Sequence, residues 1–261
     1  MFLAIDVGNS QTTIGILEDG LVGRRWRLKT DRLDTSDELD AALRSFLALD
    51  GIALAGIEAA AVASVVPVLT DMWCAALRHA LGEEPFIVSA AKVRGIEIAM
   101  PYPTQIGADR IADAVEARAT YGSPAIVVDF GTATNIDVVD GRGRYRGGCI
   151  APGLMLSAAA LFEKAAKLAS IPIEVPPAAI GDTTEHALQA GLVLGVAAQA
   201  EGLVARIKSQ LAAEEGTSEL EHCPVIATGG LSHVIEQATD VFDAIDVDLT
   251  LRGIWRIWQA R

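Results

Sequence analysis

Basic side chains are scarce in this chain: 21 Lys and Arg stand against 34 Asp and Glu, giving a formal net charge of −13. No run of Lys and Arg occurs, which argues against a broad nucleic-acid surface, because gripping a phosphate backbone needs clustered cations. Cysteine is scarcer still. Cys74, Cys149 and Cys223 are widely spaced without a CxxC, so neither a disulfide framework nor a zinc site is indicated, and reduced thiols are expected. The four histidines, His79, His186, His222 and His233, show no ligand spacing and are expected at the surface or at helix ends, with no His-based catalysis. The first residues lack a basic segment and meet Asp6 too soon for a signal peptide. The longest uncharged apolar stretches, near residues 59–70 and 187–200, fall short of the roughly 20 residues of a membrane span. A soluble cytoplasmic protein is expected, with no membrane and no nucleic acid as partner.

What the chain does have is one design used twice. Residues 126–139 read as two apolar strands joined by a turn on Asp129, Gly131 and Thr132, and residues 3–17 repeat it with Asp6, Gly8, Asn9, Ser10, Gln11, Thr12 and Thr13. The repeat suggests a duplicated domain, divided as 1–120 and 121–261, in a length that suits two domains. Gly8 and Gly131 are expected to take positive φ and approach a ligand closely, so that successive amides point at one anion. Ser10, Thr13, Thr132 and Thr134 add hydroxyls. Asp6 and Asp129 end apolar strands, where an ionised carboxylate needs a partner, and a cation is the natural one. A phosphate-gripping turn beside a cation-holding carboxylate suits a nucleotide-using phosphotransferase. An ordinary hairpin turn is the plainer alternative for one copy; the repetition favours function.

Between the repeats, residues 21–28 read as a third strand after an Asp19-Gly20 turn, and Thr35 or Ser36 caps a helix with Leu39, Leu43 and Leu47 on its apolar face. A strand over 60–66 stops at Pro67, a helix spans about 70–81, and a short strand covers 85–89. Strands alternate with helices from there on, so the class is α/β. Residues 101–115 begin as a Pro-fixed loop and turn helical around Gly107, placing Asp109 and Arg110 in the first helical turn. There the helix dipole favours an ionised Asp109, which could accept a proton, and Arg110 offers a fork for a substrate carboxylate. A cap and a surface ion pair are the alternatives.

After the second hairpin come a strand over 144–150 with Gly147 and Gly148, then Gly153 and an Ala-rich helix to Ala169. Those glycines suit either close ligand approach or loop flexibility. Residues 172–177 look extended. Asp182 and Glu185 have capping-box spacing ahead of an apolar helix to about Val204, expected to be buried on most of its circumference in a domain core or a subunit interface. A strand over 224–228 ends in Gly229 and Gly230, and Trp255 and Trp258 read as core packing.

In this order, Asp6-Val-Gly-Asn-Ser10, Ser64-Val-Val-Pro67, Gly107-Ala-Asp-Arg110, Asp129-Phe-Gly-Thr-Ala133, Gly147-Gly-x-Ile-x-Pro-Gly153, Gly181-x-x-Thr184 and Thr228-Gly-Gly230 resemble the type III pantothenate kinases over essentially the whole chain. The resemblance implies the actin and hexokinase-like fold: α/β, with two ribonuclease H-like domains, mixed sheets and a nucleotide cleft between the domains, in a homodimer. It implies ATP-dependent phosphorylation of pantothenate in coenzyme A biosynthesis. Asp6, Val7, Gly8, Asn9, Ser10, Gln11, Thr12, Thr13 and Thr132 would hold the ATP phosphates and Mg2+. Asp109 would be the general base. Met100, Gly107, Ala108, Asp109 and Arg110 would bind pantothenate with Thr184 of the partner subunit, and Asp129 would hold a monovalent cation, K+ or NH4+. Met100 stands where the family usually has Tyr, with Tyr102 two residues along, so either the loop is realigned or one contact is lost. Asp182 replaces the usual Lys, and Ala190 the usual Ser of Gln-Ser-Gly. A non-catalytic regulatory relative and a kinase for another small hydroxy acid are the alternative functions.

Overall fold

A computed structural model describes residues 1–164, 170–220 and 222–261. The chain forms two compact units: unit one is Met1–Glu116 with Asp248–Arg261, and unit two is Ala117–Val247. The division expected at residue 120 falls close by, inside a helix, but the last helix belongs to the first unit and not, as expected, to the second.

In unit one, β1 (Phe2–Val7), β2 (Gln11–Glu18) and β3 (Leu21–Lys29) form an antiparallel meander. Asp19 (φ 48°) and Gly20 (φ 81°) both adopt the left-handed conformation that a tight β2–β3 hairpin requires. α1 (Ser36–Leu49) starts at a full capping box between Thr35 and Glu38. β4 (Ala59–Ser64), α2 (Pro67–Leu81) and β5 (Phe86–Ile87) follow. Pro67, expected only to stop a strand, also opens α2 at its first position, where a missing N–H costs nothing, and Gly82 ends it with φ 78°. β4 lies parallel to β1 and β5 parallel to β4, giving the order β3-β2-β1-β4-β5. Leu3, Ile5 and Ile14 meet Leu39, Leu43, Leu69, Trp73 and Leu77 in a core on the α1–α2 side.

A short β6 (Glu97–Ile98) and α3 (Ala108–Tyr121) lead to unit two. There β7 (Ala125–Phe130), β8 (Ala133–Val139) and β9 (Arg144–Pro152) repeat the antiparallel meander. α4 (Leu154–Lys164) follows; the end of the Ala-rich helix expected near Ala169 lies outside the described residues. α5 (Thr184–Gln189) continues through one π turn, Ala190–Leu194, into α6 (Gly195–Glu215). β10 (Val225–Thr228), α7 (Ser232–Ile235) and β11 (Ala244–Ile245) complete the unit, with β10 parallel to β7 and β11 parallel to β10. The order β9-β8-β7-β10-β11 thus repeats that of unit one.

Two expectations about the long helix change. Its cap is Thr183, whose hydroxyl accepts the His186 amide, one residue later than the Asp182 spacing indicated. By length and composition Thr184–Glu215 could cross a membrane. Yet Leu192, Val193, Val196, Ala197, Ala200 and Val204 pack into unit two's own core with Ile126, Val128 and Phe130. Within the single chain burial is confined to that face: Ala187, Gly191, Gly195, Ala198 and Gly202 are on the surface, so the domain core alone does not bury most of the circumference.

α8 (Leu249–Gln259) covers the second face of unit one's sheet. The Phe2 and Trp258 rings pack with centroids 4.6 Å apart and planes tilted by 39°, and a side chain at Gly20 would strike the Trp255 ring, so the tail tryptophans are packing residues. α8 also locks onto α3. Thr250 donates to Asp113 (2.7 Å), and the buried Glu116 accepts from Arg252 Nε (3.0 Å) and Arg256 Nε (2.6 Å). A Cβ on Gly253 would stand 2.0 Å from the Ala112 carbonyl oxygen. Gly253→Ala is therefore expected to destabilise the protein by about 1–3 kcal/mol through overpacking. Urea unfolding checks this, and an unchanged midpoint would refute so close a helix contact.

Candidate functional site

The first turn closes on its own backbone. The Gly8 N–H donates to the Gln11 carbonyl (3.0 Å), and a Cβ at residue 8 would lie 2.9 Å from that oxygen. Glycine is needed here for this close approach and not for positive φ: neither Gly8 nor Gly131 has the left-handed φ expected of it. Asn9, Ser10 and Gln11 are exposed, Asp6 and Thr13 half-buried, and the Val7 side chain fully buried, so Val7 can offer a ligand only its backbone. Thr12 is buried as well, with its hydroxyl 3.0 Å from that of Thr30. The Thr30 hydroxyl donates to the Gly8 carbonyl (2.9 Å), and Arg32 donates to the Asn9 side chain (3.3 Å). Sequence patterns passed over Thr30 and Arg32. A Thr ending a strand is unremarkable until the strand is seen beside the turn.

Asp109 shares this end of unit one. The Val65 N–H donates to the Val7 carbonyl (3.0 Å), carrying β4 past the end of β1. A Cβ built on Gly107 would meet both Val65 Cγ1 at 3.2 Å and Asp109 Oδ1 at 2.3 Å. Gly107 therefore makes room for the carboxylate, which also accepts the Arg110 amide (2.8 Å). Burial pushes the Asp109 carboxyl above its ordinary range, with the Arg110 amide and then its guanidinium pulling back. The helix N-terminus was expected to decide its charge. Desolvation outweighs that dipole here, giving a stronger base than a surface aspartate. Ala108 is buried and Arg110 half-buried. Unit one also has a cavity of about 380 Å³ around Glu58, Phe86 and Trp258, at the opposite end of β4 and clear of these residues.

Unit two builds its turn differently. Gly131 N–H donates to the Ala133 carbonyl (3.0 Å), and Gly153 N–H to the Thr132 carbonyl (3.2 Å). Gly229, at φ 88°, lies against Asp129: a Cβ there would be 2.3 Å from Oδ1. Asp129 is half-buried and Thr132 exposed. Thr134 is a core residue whose buried hydroxyl makes no hydrogen bond, so it is not placed to grip a ligand as expected. Gly148 and Gly153 serve backbone packing, since their Cβ atoms would collide with the Ile136 and Thr132 carbonyls.

Of the remaining residues, Met100 is half-buried and Tyr102 66% exposed, so Tyr102 is the more available side chain. Thr184 is exposed at the start of α5. Asp182 bonds the His186 ring (2.5 Å), which holds its carboxyl below the usual range. Burial raises the Cys74 and Cys223 thiols, so neither is an activated nucleophile. Among the described residues no cluster of three His, Cys, Asp or Glu could cage a metal. The carboxylates of Asp6 and Asp129, each near the end of its strand, are oxygen donors of the kind that suits a hard cation.

A family model described as type III pantothenate kinase matches residues 2–206. The chain belongs to the type III pantothenate kinase family. It is therefore a kinase of coenzyme A biosynthesis that acts on pantothenate. A type III pantothenate kinase of Roseiflexus sp. (strain RS-1) is 40% identical over 259 residues, covering 99% of this chain and 98% of the relative. Among solved structures, a chain from Campylobacter jejuni, assigned provisionally to the Baf family of transcriptional activators, superposes with a TM-score of 0.60 at 16% identity, covering 98% and 97% of the two chains. The activator of 2-hydroxyisocaproyl-CoA dehydratase from Clostridium difficile, with ADPNP bound, gives a TM-score of 0.58 at 12% identity over 99% and 93%. The fold of this pantothenate kinase is actin and hexokinase-like, as its motifs implied.

A carboxyl whose pKa is raised on folding detracts from stability above its unfolded pKa, about 3.9 for Asp, and the loss grows up to the folded value. Asp109→Asn is therefore expected to raise Tm at neutral pH, with the gain vanishing below about pH 4. A gain independent of pH, or none, would show that Asp109 is not held against its solvation.

Proposed function

We propose that this pantothenate kinase takes its phosphoryl group from ATP and that Asp109 removes the proton from the primary hydroxyl of pantothenate. The observation that carries the assignment is the placement of Asp109: a desolvated carboxylate in the first turn of α3, linked through Gly107 and Val65 to the turn after β1. Backbone amides at residues 9–11, approached closely because residue 8 is glycine, and the hydroxyls of Ser10 and Thr13 would hold the ATP phosphates together with Thr132. Asp6 would hold Mg2+, which neutralises charge developing on the phosphoryl oxygens. Gly107, Ala108 and Arg110 would seat pantothenate, the guanidinium facing its carboxylate, with Met100 or Tyr102 from the preceding loop and Thr184 from a partner subunit. Asp129 would hold K+ or NH4+. The proton passes from the hydroxyl to Asp109 as the oxygen bonds to phosphorus; positioning and charge neutralisation supply most of the acceleration.

A homodimer in the cytoplasm is part of this reading. It is supported by unit two's exposed apolar side chains, with Ile150 67%, Met155 51%, Leu156 52% and Ile180 89% exposed, and by the small-residue face left open on α5 and α6. A purely regulatory role would give no reason to hold Asp109 out of water at a cost in stability.

The test is ADP release from the purified protein with ATP, Mg2+ and K+, with and without pantothenate. Pantothenate-dependent turnover is expected, and Asp109→Asn should lower it by about 10² to 10⁴-fold while ATP still binds. Near-normal turnover in that variant rejects the base. Rates should also fall when Na+ replaces K+ or NH4+, and Asp129→Asn should abolish that difference. Equal rates of the parent enzyme in all three salts would remove the cation from Asp129.

A further inference from the structure

We propose that Thr30, with Thr12 behind it, is the positioning residue of the phosphate turn, fixing the direction of the amide that the turn presents. This inference rests on the reading of residues 8–13 as the ATP turn. Thr30 follows β3 and is 8% exposed; Thr12 is the second residue of β2 and is 1% exposed. A hydroxyl has one hydrogen to donate. That of Thr30 goes to the Gly8 carbonyl (2.9 Å), so the 3.0 Å contact with Thr12 is a bond from the Thr12 hydroxyl to Thr30 Oγ1. The backbone of Thr30 adds a second tie, its N–H donating to the Ser10 carbonyl (3.1 Å).

Two carbonyls of the turn are thus drawn toward one residue of the third strand. In a trans peptide the C=O and the following N–H point in opposite directions. Drawing the Gly8 oxygen onto Thr30 therefore turns the Asn9 N–H away from Thr30. The Gly8 N–H is already spent on Gln11, so it is not the donor on offer. Without the hydroxyl at residue 30, the Gly8–Asn9 peptide loses the bond that fixes its carbonyl, and the direction of the Asn9 amide is less well defined. The buried Thr12 hydroxyl keeps Thr30 from turning its own hydrogen elsewhere.

Thr30→Val keeps the shape and removes both hydroxyl bonds. In the full chain it is expected to raise the ATP KM, and the ATP Kd measured by calorimetry, roughly three- to tenfold, the weight of one ordinary hydrogen bond. The pantothenate KM and the acid limb of the pH–rate profile, which report the Asp109 end, should stay as in the parent. Thr30→Ser should restore ATP affinity. A parental ATP KM in Thr30→Val, equal losses for both substrates, or a Ser variant as weak as Val would each overturn the proposal. Gly8→Ala, which puts a Cβ 2.9 Å from the Gln11 oxygen, separates the two readings. If Gly8→Ala weakens ATP while Thr30→Val does not, only the role of Thr30 fails; if neither does, the ATP turn itself fails. Should Thr30→Val show no cooperative melt, Thr12→Val takes its place with an expected loss of about twofold in ATP affinity alone. A parental ATP KM in that folded variant overturns the pair.

Discussion

A carboxylate kept partly out of water at the start of α3 is the constraint around which unit one is arranged. Asp109 fits only because residue 107 has no Cβ, and it is desolvated with Val65 close by at the end of β4. That position of Val65 depends in turn on the bond from its amide to the Val7 carbonyl, hence on the parallel register of β4 with β1. A raised pKa detracts from stability at neutral pH, so the surrounding scaffold must hold α3 in place. Two continuous contacts do so on the α8 side: the close approach at Gly253, and the buried Glu116 shared by Arg252 and Arg256. Removing one partner from such a buried charge cluster is costly, which makes the cluster a stiff joint even where its net stabilisation is small.

The duplication supplies two copies of one geometry, and the copies have diverged in what lies against the acidic strand end. In unit one, Asp6 is followed by a longer turn whose carbonyls are drawn to Thr30. In unit two, Asp129 is followed by a tighter turn, and the backbone of Gly229 lies where a side chain would collide with the carboxylate. An open, exposed turn with oriented amides suits a polyanion. A carboxylate walled by backbone suits a small ion with a fixed radius. On the proposed reading, the same fold would serve two kinds of electrostatic partner through local changes of one or two residues.

Local signals carried much of this to the eye. The helix cap at Thr35 or Ser36, the turn at Asp19 and Gly20 and the two Asp-x-Gly turns all act within a few residues of chain, and each was legible. What escaped depends on parts far apart in sequence. The return of α8 to unit one pairs residue 253 with residue 112, and no periodicity reports that. Thr183 displaced Asp182 as the cap because Asp182 had the His186 ring to bond. The apolar helix to about Val204 read as buried on most of its circumference, in a core or a subunit interface, and composition does not separate the face that the core takes from the small residues outside it. Asp109 was legible as a helix-start acid and as a proton acceptor, but the desolvation that raises its pKa was not, since burial depends on parts of the fold distant in sequence.

The charge balance explains why backbone geometry has so large a share in the proposed site. A net charge of −13 repels both a nucleotide triphosphate and a carboxylate substrate at long range. Many of the available cations are already engaged with the protein's own acids: Arg24 with Asp50, Arg44 with Asp40, Arg78 with Glu84, Arg144 and Arg146 with Asp140, Arg252 and Arg256 with Glu116. Anion binding must then come from short-range donors that act only on contact, and a backbone amide is worth something to a phosphate only if it already points the right way. Fixing that direction in advance is what a hydroxyl behind the turn accomplishes, and it does so without adding a charge that the neighbouring carboxylates would capture. An acidic protein that binds anions is on this view no contradiction; it shifts the work from field strength to orientation.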